Sequence, residues 1–91
     1  MQKFEQAEEE ADYLSWLAAN PDGYVVNATR PPNARYSILH RSDCRTINGT
    51  PPTGSGWTNS YQKVCGTRAE LEKWSREEAG GETAPCGTCL G

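Results

Sequence analysis

Two short ligand-type motifs far apart in the chain, His40-x3-Cys44 and Cys86-x2-Cys89, restrict the fold more than any other feature. A two-residue gap lets the thiolates of Cys86 and Cys89 bind one ion from a single tight turn, and Gly87 lets that turn bend. His40, at the end of an expected strand, and Cys44, after the turn that follows, can approach the same point. Zinc takes four such ligands in a tetrahedron, so one structural Zn2+ held by His40, Cys44, Cys86 and Cys89 is expected. The ion would clamp one pair to the other and close a long loop, where a cross-link removes much chain entropy. The clamp matters because the chain has only 91 residues, of which 35% are hydrophobic. A core of that size rarely supplies more than about 3–5 kcal/mol and is usually stapled.

Other readings of the cysteines stay open at this point. Cys65 is a fifth candidate ligand and could take the place of His40, or it could be a buried core thiol. Four cysteines could also form disulfides in any of three pairings. A thioredoxin-like redox pair needs a helix starting at its first cysteine, and only Leu90 and Gly91 follow Cys89. No apolar run approaches the roughly 18 residues of a membrane span. MQKFEQAEEE lacks the apolar core of a secretory signal. A cytoplasmic chain is therefore expected, in a compartment where thiols stay reduced and metal ligation is favoured over disulfides.

Periodicity gives the elements. Phe4, Ala7, Ala11, Leu14 and Ala18 recur at helical spacing, widened by Trp16 and Leu17, which predicts a helix over about 3–19. Asn20-Pro21-Asp22-Gly23 ends it. Strands are expected at about 24–28, 35–40 and 61–65, with Tyr36, Ile38 and His40 on one face of the second. Residues 48–60, rich in Gly, Pro and Ser/Thr, read as a long loop. Thr67-Arg68-Ala69-Glu70 is a capping box opening a helix over about 68–78, which Gly80-Gly81 stops. The fold class is then one α+β domain over 1–91, a mostly antiparallel three-stranded sheet flanked by two helices and stapled by zinc.

Charge is unevenly placed. The net charge is −3, yet residues 24–69 hold Arg30, Arg35, Arg41, Arg45, Lys63 and Arg68 against Asp43 alone. Acidic residues gather instead near the N-terminus and in the last helix. A basic centre of this kind suits an anionic partner. Tyr24, Tyr36, Trp57 and Tyr61 lie among these bases, where aromatics either stack on nucleic-acid bases or pack into the sheet. Trp16 and Trp74 are expected to pack helix against sheet.

The stretch Ser37-Ile38-Leu39-His40-Arg41-Ser42-Asp43-Cys44-Arg45, followed later by Ala84-Pro85-Cys86-Gly87-Thr88-Cys89, resembles the metal-binding domain of the Ada DNA-repair proteins. The resemblance implies a small sheet between two helices, one zinc held by a ligand-x3-Cys pair and a late Pro-Cys-x-x-Cys pair, and contact with DNA. In that family the first ligand is a cysteine that accepts a methyl group from a DNA phosphotriester. Here the position is His40. A zinc-bound imidazole has committed its lone pair to the metal, so methyl transfer by that route is not expected. The spacer between the pairs is also longer here.

The resulting expectation is a non-enzymatic, zinc-stabilised module that binds DNA through Arg30, Arg35, Arg41, Arg45, Lys63 and Arg68. A zinc-stapled protein-interaction module is the alternative, with the acidic N-terminal helix or the 48–60 loop as its contact. A zinc enzyme would need an open coordination site and a general base, for which Asp43 is the only nearby candidate. No small-molecule substrate is expected.

Overall fold

A computed structural model describes residues 1–50, 56–59 and 61–91. Five strands form one sheet: β1 (Gln2–Phe4), β2 (Tyr24–Ala28), β3 (Ser37–Arg41), β4 (Gln62–Gly66) and β5 (Ala84–Pro85). The two helices are α1 (Glu10–Ala19) and α2 (Arg68–Trp74), the latter running on into a turn of π-helix, Ser75–Ala79. Strand order is β1-β4-β2-β3-β5. All neighbours are antiparallel except β3 and β5, which run parallel. The sheet is therefore five-stranded rather than three-stranded, and mixed, although three of its four pairings are antiparallel as expected. Among the described residues no helix is long and apolar enough to cross a membrane.

Both faces of the sheet are covered. Val25 and Cys65, cross-strand neighbours, pack with Phe4, Tyr13, Leu17, Ile47 and Trp57 on the α1 side. Val26, Val64 and Leu39 point the other way and pack with Leu71 and Trp74 of α2. A central strand buried on both sides reads as an unbroken apolar run, as Tyr24-Val25-Val26 does. Strand β2 coincides with the expected 24–28.

Several elements differ from the sequence expectation. The helix begins later than residue 3: Gln2–Phe4 instead pairs with β4, and Phe4 is buried from a strand. The Glu9 carboxylate accepts hydrogen bonds from the Glu5 and Gln6 amides, which sets a 3-10 turn at Ala7–Glu9 ahead of α1. Before β3, the Asn33 side chain accepts from the Arg35 amide and closes a 3-10 turn at Ala34–Tyr36, so Tyr36 lies outside the strand. Finally, Ala84–Pro85 adds an edge strand, a place that tolerates proline. Strand β4 begins one residue later than expected, at Gln62.

The expected stops are present. The Thr67 hydroxyl accepts from the Glu70 amide, and Glu70 reaches back to the Thr67 amide. Gly80 terminates the π-turn with φ +81°, a left-handed conformation that a β-carbon disfavours. Gly23 lies so close to α1 that a β-carbon there would sit 2.7 Å from Trp16 Cη2. The expected 48–60 loop falls partly outside the described residues, at 51–55 and 60. Within its described part Trp57 is buried, its Nε1 donating to the Gly49 carbonyl at 2.8 Å.

Candidate metal centre

Pairing of β3 with β5 builds the centre. Ile38 and Leu39 stand opposite Ala84 and Pro85, and the Cys86 amide donates to the Leu39 carbonyl at 2.8 Å. This register brings Cys86 alongside His40. The chain then turns twice at that end of the sheet. Cys44 donates its amide to the Arg41 carbonyl, and Leu90 donates its own to Cys86, wrapping Cys44 and Cys89 around the same point. One ligand atom from each of His40, Cys44, Cys86 and Cys89 lies within 4.8 Å of every other, and this group could hold a metal ion. Cys65 is buried elsewhere on the α1 side of the sheet and is not in the group, so it does not replace His40.

The donor chemistry suits a cation. Burial, reinforced by the positive charge of Lys63, pushes the His40 imidazole down to about 4, so it is neutral at pH 7 and offers a lone pair. For Cys86, burial works to raise the thiol's pKa. Hydrogen bonds from the Cys89 and Thr88 amides, the Thr46 hydroxyl and the Cys44 thiol outweigh it and bring Cys86 down to about 7. Cys89 is pushed up to about 11, first by burial and then by the neighbouring thiols, against the stabilising Arg41 amide. A divalent ion would remove that conflict, since it holds all its thiol ligands as thiolates.

Two of the sulfurs accept a main-chain amide, and the third contacts a hydroxyl. Thr88 N reaches Cys86 Sγ at 3.3 Å, Arg41 N reaches Cys89 Sγ at 3.3 Å, and Thr46 Oγ1 lies 3.0 Å from Cys44 Sγ. Thr46 Oγ1 is also 3.4 Å from His40 Nδ1 and 3.9 Å from Cys86 Sγ. The sequence reading missed Thr46. The available signal was a hydroxyl two residues after a ligand cysteine, inside the ligand turn, and such outer contacts orient and tune metal ligands.

The basic residues do not gather on one surface. Arg41 and Arg45 flank the centre, exposed, and Arg41 pairs with Asp43 at 2.9 Å. Arg68 belongs to the same end of the sheet: its guanidinium lies 5.9 Å from the ring of Tyr24, whose strand partner is Arg41. Arg68 also pairs with Glu72 at 3.2 Å. Arg30 and Arg35 are exposed at the other end, before β3 begins. Lys63 is a correction to the expected binding set. It is only 4% exposed, and its ammonium donates inward to Asn27 Oδ1 and the Trp57 carbonyl at 2.7 and 2.6 Å. Among the aromatics, Trp57 and Trp74 are buried, Tyr24 and Trp16 are half-buried, and Tyr36 and Tyr61 are exposed.

Comparisons of this chain with protein-family models, curated proteins and solved structures find no match.

Proposed function

We propose that the protein is a non-enzymatic module stapled by one zinc ion and that it binds DNA through the arginines this ion fixes in place. The observation that carries the reading is the His40, Cys44, Cys86 and Cys89 cluster. Three thiols and an imidazole suit zinc better than the oxygen-preferring magnesium or calcium. Zinc–sulfur bonds of about 2.3 Å put tetrahedral sulfurs about 3.8 Å apart. Cys44 Sγ and Cys86 Sγ are 3.9 Å apart. Four protein donors would fill the tetrahedron and leave no position for a reactive water, and the amide hydrogen bonds to Cys86 and Cys89 dampen thiolate nucleophilicity. Both features favour a structural role for the ion over a catalytic one.

DNA is favoured as the partner by the position of Arg41, Arg45 and Arg68. Arg41 donates its amide to one ligand sulfur and Arg45 follows another ligand, so the ion would hold the main chain at both arginines. The resemblance of residues 37–45 and 84–89 to the Ada metal-binding domain points the same way. The protein-partner reading draws on a different observation: Arg41 and Arg68 are already paired with Asp43 and Glu72. Exposed pairs of this kind are worth little and can be exchanged for phosphate contacts.

Metal analysis of the purified, reduced chain should find one zinc per molecule. Binding to a labelled DNA duplex should weaken with salt, and Arg41→Ala or Arg45→Ala should each lower the slope of log affinity against log salt by about one. A chain free of metal would overturn the zinc staple. Absence of salt-dependent binding at low ionic strength would overturn the DNA reading and leave the protein-partner one.

A further inference from the structure

At the end of the sheet away from the metal centre, Tyr36 and Tyr61 stack on each other. Their ring centroids are 4.9 Å apart and their planes differ by 16°. Each is 37% exposed, and Met1 is the only other large hydrophobic residue exposed among those described. Tyr36 immediately precedes β3 and Tyr61 immediately precedes β4, the two strands that flank β2, so the rings meet across the end of that strand. A chain this short of apolar residues has left two aromatic rings in solvent rather than in its core.

The pair is held from behind by a buried charge. Lys63 Nζ has three protons and three acceptors: Asn27 Oδ1 at 2.7 Å, the Trp57 carbonyl at 2.6 Å and the Tyr61 carbonyl at 3.5 Å. Asn27 in turn donates its amide to the Tyr36 hydroxyl at 3.3 Å. One ammonium thus ties the main chain of one tyrosine and, through Asn27, the side chain of the other. Burying a lysine is costly unless its donors are satisfied. Here the interaction fixes the geometry of an exposed surface feature, so a ligand would not have to order the two rings.

The surroundings are cationic. Arg35 adjoins Tyr36 in sequence and is exposed. Arg30 donates one N–H from each terminal nitrogen to a main-chain carbonyl, those of Glu5 and Asn59, which leaves three N–H donors, and among the described residues no carboxylate pairs with it. Flat rings with one arginine next to Tyr36 in the chain and another bonded to Asn59, two residues before Tyr61, suit a planar heterocycle attached to a phosphate.

We infer that Tyr36 and Tyr61 form a preorganised stacking platform for unpaired bases of single-stranded nucleic acid, with Arg30 and Arg35 contacting its phosphates. This rests on the nucleic-acid reading above and narrows it to a base-contacting, strand-separated ligand. Stacking is tolerant of sequence because every base has a π-face.

The test compares three labelled probes by fluorescence anisotropy: an oligothymidylate of about twelve nucleotides, an abasic strand of equal length, and a duplex. The oligothymidylate should bind about tenfold more tightly than the abasic strand. Tyr36→Ala and Tyr61→Ala should remove that advantage while leaving the salt slope and the metal content unchanged; Tyr36→Phe should keep it. Equal affinity for oligothymidylate and abasic strand, or insensitivity to both alanine variants, overturns the platform while leaving phosphate binding at the metal end intact. No binding of any of the three at low salt overturns platform and DNA reading together. Tyrosine-dependent binding of a proline-rich peptide in place of oligothymidylate would overturn the nucleic-acid assignment alone.

Discussion

Lys63 carries an ordinary surface side chain into the interior, and its physical consequences are measurable. Burial lowers its pKa to about 8, opposed by the negative charge of Glu10. The unfolded chain holds that proton up to about 10.5, so between these values the unfolded state binds more protons and stability rises with pH. The penalty is fully present below pH 8. Cys65 acts in the opposite sense: burial pushes its thiol up to about 12, so its contribution is lost as pH climbs past the unfolded value near 9. Between pH 8 and 9, urea denaturation should therefore show the wild-type chain gaining about 1 kcal/mol relative to Lys63→Met. A variant that gains as much would show that the lysine titrates normally. None of this was legible from residue 63 itself. Lysine is an expected member of a basic surface, and only the pairing of β4 with β2 reveals that it points at Asn27. The ligand set was more legible, because the spacings within 40–44 and 86–89 are local and chemically specific. The exclusion of Cys65 was not, since it depends on strand order: Cys65 shares the face of His40 but lies on β4, with β2 between the two.

At the level of elements, the two that the sequence hides are the shortest. Strands β1 and β5 contain three and two residues, and neither has a pattern of its own. Each exists because a longer strand offers an unpaired edge, and that edge is built from distant sequence. Conversely, β2 and the start of α2 were legible because β-branched residues and a capping box act locally. A further long-range device joins α1 to the loop before β4. The Glu10 carboxylate accepts from the Trp57 amide at 2.8 and 3.0 Å, from the Thr58 amide at 3.0 Å and from the Thr58 hydroxyl at 3.2 Å. One side chain thereby satisfies two buried main-chain donors next to Trp57, a member of the core cluster that also holds Phe4 and Tyr13. Glu10→Ala would orphan those donors. It should cost about 2 kcal/mol in urea denaturation and speed hydrogen exchange at residues 57 and 58, while metal content stays the same. Exchange unchanged at those amides would show that the carboxylate does not hold the loop.

For the whole molecule, the candidate metal centre and the core are one structure. Cys44 and Cys86 are members of the hydrophobic cluster under α1, and Cys89 packs against it. Two extended core layers meet across a sheet whose last strand has only two paired residues. Without an ion, β5 must be held by that short parallel pairing and the bond from the Cys86 amide to Leu39, while three thiols crowd together at the edge of the core. An ion would join the same segment by coordinate bonds to β3 and to the turn after it. A structural zinc contributes on the order of 10 kcal/mol of binding energy, more than a core of this size supplies. Removing it should therefore do more than release the tail. Chelation of the reduced protein should shift the urea midpoint sharply downward and erase most near-ultraviolet circular dichroism from Tyr13, Trp57 and Trp74, all of which lie in the two core layers. Returning one equivalent of zinc should restore both signals together. If midpoint and spectrum are the same with and without chelator, the hydrophobic layers hold β5 by themselves, and the arginines beside the centre owe their positions to packing alone.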